Sequence, residues 1–107
     1  MALQVAELSI ELIQALRPLM PRIKRSDRSL ADQLTRAATS VALNIAEAEH
    51  SDPGTRKSRF FSAAGSANES LAGLRVAAAW GYLSAAETEA AANLLRRIIG
   101  ILWKLTR

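Results

Sequence analysis

Cysteine is absent from the 107 residues, which excludes disulfides, thiolate chemistry and Cys-ligated zinc. Histidine occurs once, as His50, so an imidazole metal cluster has no second member. Aromatics are only 5% of the chain, and there are three Pro and five Gly. With few β-branched runs and abundant Ala, that is helix composition. No uninterrupted apolar run reaches the roughly 18 residues of a membrane span. The N-terminal stretch carries Glu7 and Glu11 inside its apolar part and lacks an initial basic region, so it does not read as a signal peptide. The expectation is a soluble cytoplasmic protein of bacterial type.

What is present is apolar and basic. Half of the residues are hydrophobic, enough for a core without covalent staples, and the length corresponds to one domain, 1–107. The formal charge is +4 and the pI about 10.3, which permits binding to nucleic acid or to an acidic partner without demanding it.

The pattern predicts four helices, at about 3–24, 27–50, 53–80 and 85–105. In the first, Leu8, Leu12, Ala15, Leu19 and Ile23 recur at helical spacing, while Pro18 and Pro21 predict a kink or a break. Ser26 or Asp27 caps the second, whose stripe is Leu30, Leu34, Ala37, Val41, Ile45 and Ala48. Asp52 followed by Pro53 opens the third, with Phe60, Ala64, Ala67, Leu71, Leu74 and Ala78 facing inward. Gly65 and Gly73 inside it predict close approach of a neighbouring helix. Gly81 suits a left-handed C-cap, and Ser84 with Glu87 forms a capping box for the fourth, whose stripe is Leu94, Ile98, Ile101, Leu102 and Leu105. Tight corners between such segments favour an all-α, up-down-up-down antiparallel four-helix bundle.

More apolar residues are present than one stripe per helix needs. Leu95, Ile99 and Trp103 make a second row on the last helix, and Val5, Ile13 and Leu43 lie beside the main stripes. A wide core-facing stripe accounts for this pattern, and so does an oligomer interface. The second is favoured, with Leu95, Ile99 and Trp103 as its centre and Trp80 or Tyr82 at the far corner.

Catalytic constellations are missing. Glu47, Glu49 and His50 contain one Glu-x-x-His spacing, but a di-metal bundle needs a second copy on another helix. No metal, no cofactor and no catalytic residue is expected. Basic residues do cluster. Arg22, Lys24, Arg25 and Arg28 surround the first corner, and Arg56, Lys57 and Arg59 open the third helix. Cations at a helix N-terminus oppose the macrodipole, so the second cluster lacks a local stabilising reason. Lys104 and Arg107 share its end of the bundle. Solubilising charge is one reading and phosphate-backbone binding the other. No aromatics interleave with these basic stretches.

The segments "QLTRAATSVALNIAEAEH" and "SRFFSAAGSANESLAGLRVAAAWGYL" carry a resemblance. Gln33, Arg36, Ala37, Ser40, Val41, Asn44, Ile45, Ala46 and Glu47 match a pattern Q-x-x-R-A-x-x-S-(I/V)-x-x-N-I-A-E-G. Phe60, Ala63, Gly65, Ser66, Glu69 and Leu71 match a second, A-x-G-S-x-x-E with its basic-aromatic lead. Both resemble the bacterial four-helix bundle family that includes proteins encoded in 23S rRNA intervening sequences and accessory proteins of diversity-generating retroelements. Ala48 replaces the Gly that usually follows the Glu, which predicts a helix continuing a further turn. The resemblance implies a homopentameric ring without enzymatic activity. For the retroelement branch it implies a basic nucleic-acid-binding surface and a reverse transcriptase partner.

Arg36, Ser40, Asn44 and Glu47 share one helical face, with Arg36 placed to meet Ser40 and Asn44 to meet Glu47. Ser66 and Glu69 would run past them. The favoured reading is a hydrogen-bonded seam of Ser40, Asn44, Glu47, Ser66 and Glu69 between helices or subunits, with Arg36 either in it or on a phosphate. The functional expectation is a non-enzymatic oligomer binding RNA or DNA through Arg22, Lys24, Arg25, Arg28, Arg36, Arg56, Lys57 and Arg59. The alternative is a structural or adaptor protein with a protein partner.

Overall fold

The computed structural model describes residues 2–107 as an all-α fold of five helices. These are α1 (Ala2–Leu16), α2 (Met20–Ser26), α3 (Arg28–Glu49), α4 (Pro53–Ala79) and α5 (Ala85–Leu105). The expected count of four is corrected by the first segment, which breaks in two. Pro18 has no N–H to donate and its ring clashes with the carbonyl of the preceding turn. The chain therefore tightens: the Leu19 N–H donates to the Leu16 carbonyl at 2.9 Å, and Pro21 sits in the first turn of a new helix.

Asp27 is the hinge between α2 and α3. Its extended backbone (φ −156°) ends α2, with its N–H donating to the Ile23 carbonyl at 2.7 Å. Its side chain then accepts from the Leu30 N–H at 2.9 Å and starts α3. α3 stops at Glu49, two residues past Glu47 and short of the further turn expected from Ala48. Gly81 takes the left-handed conformation (φ +80°) between α4 and α5, and Ser84 with Glu87 closes the capping box.

Asp52 caps α4 through the Thr55 N–H at 3.0 Å and the Thr55 hydroxyl at 2.8 Å. The backbone bond, then the hydroxyl bond, holds its carboxyl below the usual aspartate range. A depressed folded-state value means that the cap's contribution is present above the unfolded pKa and is lost as pH falls through the folded one. Acidification below the ordinary aspartate range should therefore fray the start of α4 in hydrogen exchange, and Asp52→Asn should flatten that pH dependence.

The long helices run antiparallel. Ser40 bonds to Ser66 and Glu47 pairs with Arg59, which sets one register between α3 and α4. Arg22 of α2 pairs with Glu87 of α5, and Phe61 of α4 meets Trp103 of α5. α1 packs on α3 and α5, α2 on α3, and α4 on both α3 and α5, in a body 42 Å long. α4 is flanked on two sides, so its inward residues are small: Ala63, Ala64, Ala67 and Ala77 are buried with Phe60 and Leu74. Gly73 does make the predicted close approach, since a Cβ there would stand 3.3 Å from Leu34 Cδ1. Gly65 does not; it faces open space.

The second apolar row is partly reassigned. Leu95 and Val5 are fully buried in the core, because α5 and α1 each face more than one neighbour and need a wide stripe. Leu95 therefore faces no other copy. Ile99 is half-buried against the same core, and Trp103 stays 48% exposed. Ser9, Ser70 and Thr88 are buried without disturbing the core, each donating its hydroxyl to the carbonyl three or four residues earlier, at 2.7 to 2.9 Å. No helix among the described residues is long and apolar enough to cross a membrane.

Candidate nucleic-acid interface

The polar face of α3 is a real seam, but a short one. Asn44 Nδ2 donates to Ser40 Oγ and to the Ser40 carbonyl, both at 3.0 Å, and Ser66 Oγ of α4 donates to Ser40 Oγ at 3.0 Å. Small residues bring the two backbones close enough for two serines to meet. All three side chains are half-buried. Each half-buried bond of this kind contributes about 0.5–1.5 kcal/mol. Asn44→Ala removes both bonds that the amide makes and should lower stability by about 1–2 kcal/mol, read by denaturant titration.

Two members expected in the seam lie outside it. Glu47 is exposed and pairs with Arg59 at 3.1 Å instead of meeting Asn44, because the antiparallel register sets the start of α4 against the end of α3. Glu69 is exposed at a groove that α4 forms with Leu30, Gln33 and Leu34 of α3 and, among the described residues, has no hydrogen-bond or ion-pair partner. Arg36 does not bond to Ser40. It lines an open groove of about 380 Å³ with Thr35, Thr39, Ser40, Asn44 and Arg59.

The eight predicted basic residues do not form one surface. Arg22 is engaged by Glu87 and Arg59 by Glu47. At the α1 N-terminal end of the molecule, Arg56 and Lys57 share a groove of about 370 Å³ with Arg107, Ala2, Pro53 and Leu105. The Arg56 guanidinium also lies 6.0 Å from the Phe60 ring centroid. Among the described residues no Asp or Glu side chain lines this groove. Lys24, Arg25 and Arg28 are exposed at the opposite end, around the α2–α3 corner.

That opposite end holds an arrangement the linear sequence hides. Trp80 and Tyr82 stack with centroids 6.5 Å apart and planes 15° from parallel. The Tyr82 hydroxyl donates to Asp27 Oδ2 at 3.4 Å. Desolvation first, and then the Asp27 charge and hydrogen bond, raise the Tyr82 pKa, so the phenol stays protonated as the donor. The aromatics that were missing from the basic stretches thus arrive from more than fifty residues away; the one signal for them was the corner "WGYL" itself.

His50 caps α3 at an exposed position, and among the described residues no three of His, Cys, Asp and Glu converge as a metal site requires. No curated protein matches the chain. The chain is similar to a crystal structure described as a protein with unknown function from the S23 ribosomal protein family of Bacteroides thetaiotaomicron VPI-5482. The TM-score is 0.88 at 22% identity, covering 96% of this chain and 98% of that one, a likeness that concerns the fold. The family model described as 23S rRNA-intervening sequence protein matches residues 1–104, nearly the whole length, and the chain belongs to that family.

Proposed function

We propose that this protein is a non-enzymatic, cytoplasmic homo-oligomer that binds RNA or DNA through its phosphate backbone. The observation that carries the reading is the groove where Arg56, Lys57 and Arg107 converge with no Asp or Glu side chain lining it among the described residues. Two of these cations stand near the start of α4, where they oppose the helix dipole, so local helix stability does not account for them. Lys24, Arg25, Arg28 and Arg36 add exposed positive charge elsewhere. We read α1 and α2 as one broken rod, which makes the architecture an up-down-up-down bundle of four rods. Self-association uses the α4–α5 face, where Phe61 and Trp103 meet edge to face at 6.2 Å and remain substantially exposed beside Ile99. A pentamer, and a reverse transcriptase as partner, are supported by family resemblance alone.

The test is binding across a salt series. Phosphate contacts predict a log-log slope of about −0.9 per neutralised phosphate on duplex DNA. No binding at low salt would leave a second reading, an adaptor for a protein partner. That reading is favoured by a largely apolar groove of about 670 Å³ that the α1–α2 break opens against α3, lined by Ile13, Leu16, Met20, Ala31 and Ala38 with Arg17, Lys24 and Asp32 among them.

A further inference from the structure

We infer that the α4–α5 corner is a stacking platform for an unpaired nucleobase, with the cations of the α2–α3 corner holding the flanking phosphates of a single strand. This rests on the phosphate-binding reading above and adds to it the kind of nucleic acid. Trp80 is 70% exposed, second only to Leu3 among the large hydrophobic residues described. Its backbone is nevertheless fixed: its N–H donates to the Val76 carbonyl at 3.0 Å, and the Tyr82 N–H returns to the Ala77 carbonyl at 2.9 Å. Tyr82 is half-buried and anchored to Asp27. One side of the indole is turned to a held ring, and the rest is open to solvent.

Charge decides what kind of flat partner fits there. Asp27 lies between Arg25 and Arg28 in the chain, so the bond from Tyr82 places the ring pair at the corner that carries those cations. Of the carboxylates at this corner, Asp27 and Glu87 are hydrogen-bonded, while exposed Asp32 follows Arg28 by one turn and lines a groove with Lys24. Asp27 accepts from Leu30 and Tyr82, and Glu87 accepts from Arg22 and from the Ser84 N–H. Lys24, Arg25 and Arg28 have no ion-pair partner among the described residues. A fixed aromatic face at a corner whose cations make no ion pair suits a base and its phosphates better than an apolar helix, which would offer those cations no anion. Stacking on an aromatic side chain tolerates any base, but the base must be free of a duplex. The platform therefore selects single strands without reading their sequence.

Trp103→Phe leaves Trp80 as the sole tryptophan and keeps an aromatic ring against Phe61. In that variant, short oligouridylate and oligothymidylate should each quench the fluorescence, and a duplex of equal phosphate count should not. Independently, in the otherwise unaltered protein, Trp80→Ala should weaken single-strand binding by at least about fivefold and leave duplex binding unchanged, while Trp80→Phe keeps most of the affinity. Trp80 is exposed, so these variants should melt like the parent, which circular dichroism checks. Single-strand binding that is unquenched and indifferent to Trp80→Ala would overturn the platform and leave phosphate binding standing. Absence of binding to every probe at low salt would remove both.

Discussion

Ile45→Ala is expected to destabilise the fold by about 2–5 kcal/mol, and Thr35→Ala, on the same helix, to stay within about 0.5 kcal/mol. Ile45 is fully buried where α3 joins the core, and Thr35 is exposed on the outer face. Truncating Ile45 loses the transfer free energy of its side chain and leaves a cavity. The buried positions that α3 and α4 share are dominated by alanine: Ala37, Ala38, Ala48, Ala63, Ala64 and Ala67. An alanine has no other rotamer with which to fill a void. The large residues among them, Leu30, Leu34, Val41, Ile45, Phe60 and Leu74, therefore carry a large share of the packing. For a domain of this size the loss lowers the melting temperature by about ten degrees or more. Equal melting of the two variants would mean that α3 presents a different face to the core.

The second large effect concerns the basic groove. Replacing Arg56, Lys57 and Arg107 together by alanine should flatten the salt dependence of nucleic-acid binding by about two to three units of log-log slope, at about 0.7–0.9 for each phosphate no longer neutralised. Arg59→Ala should change it much less, because Arg59 already answers Glu47. The same triple substitution should not cost stability. Removing Arg56 and Lys57 relieves the clash with the α4 dipole by about 0.3–1 kcal/mol each, offset by removal of the Arg56 guanidinium from the Phe60 ring. Weaker binding in a protein that melts like the parent is the signature of phosphates left without their cations. An unchanged slope would place the binding surface elsewhere, at Arg36 or around the α2–α3 corner.

Part of the site was legible in the chain and part was not. The Ser40–Asn44 contact is local, four residues apart on one helix, and helical spacing alone placed the pair on one face. The grouping of Arg56 and Lys57 with Arg107 followed from helix direction. Which cations are free did not, because the neutralising partners are distant: Glu87 is 65 residues from Arg22. The same holds for Trp80 and Tyr82, delivered to Asp27 across a separation of 55 residues.

The sequence by itself determined the helical class, the three corners with caps at Ser26 or Asp27, at Asp52 and at Ser84, the left-handed Gly81 and most of the buried stripes. Those features depend on spacing and side-chain chemistry within a few residues, where the 3.6-residue period and the orphan groups of helix ends act directly. Tertiary structure decided how wide each buried stripe is, moving Val5 and Leu95 into the core, and which charges and rings face each other at the two ends. It did so because each of those outcomes depends on which helices pack side by side, a relation between segments far apart in the chain that no single helix encodes.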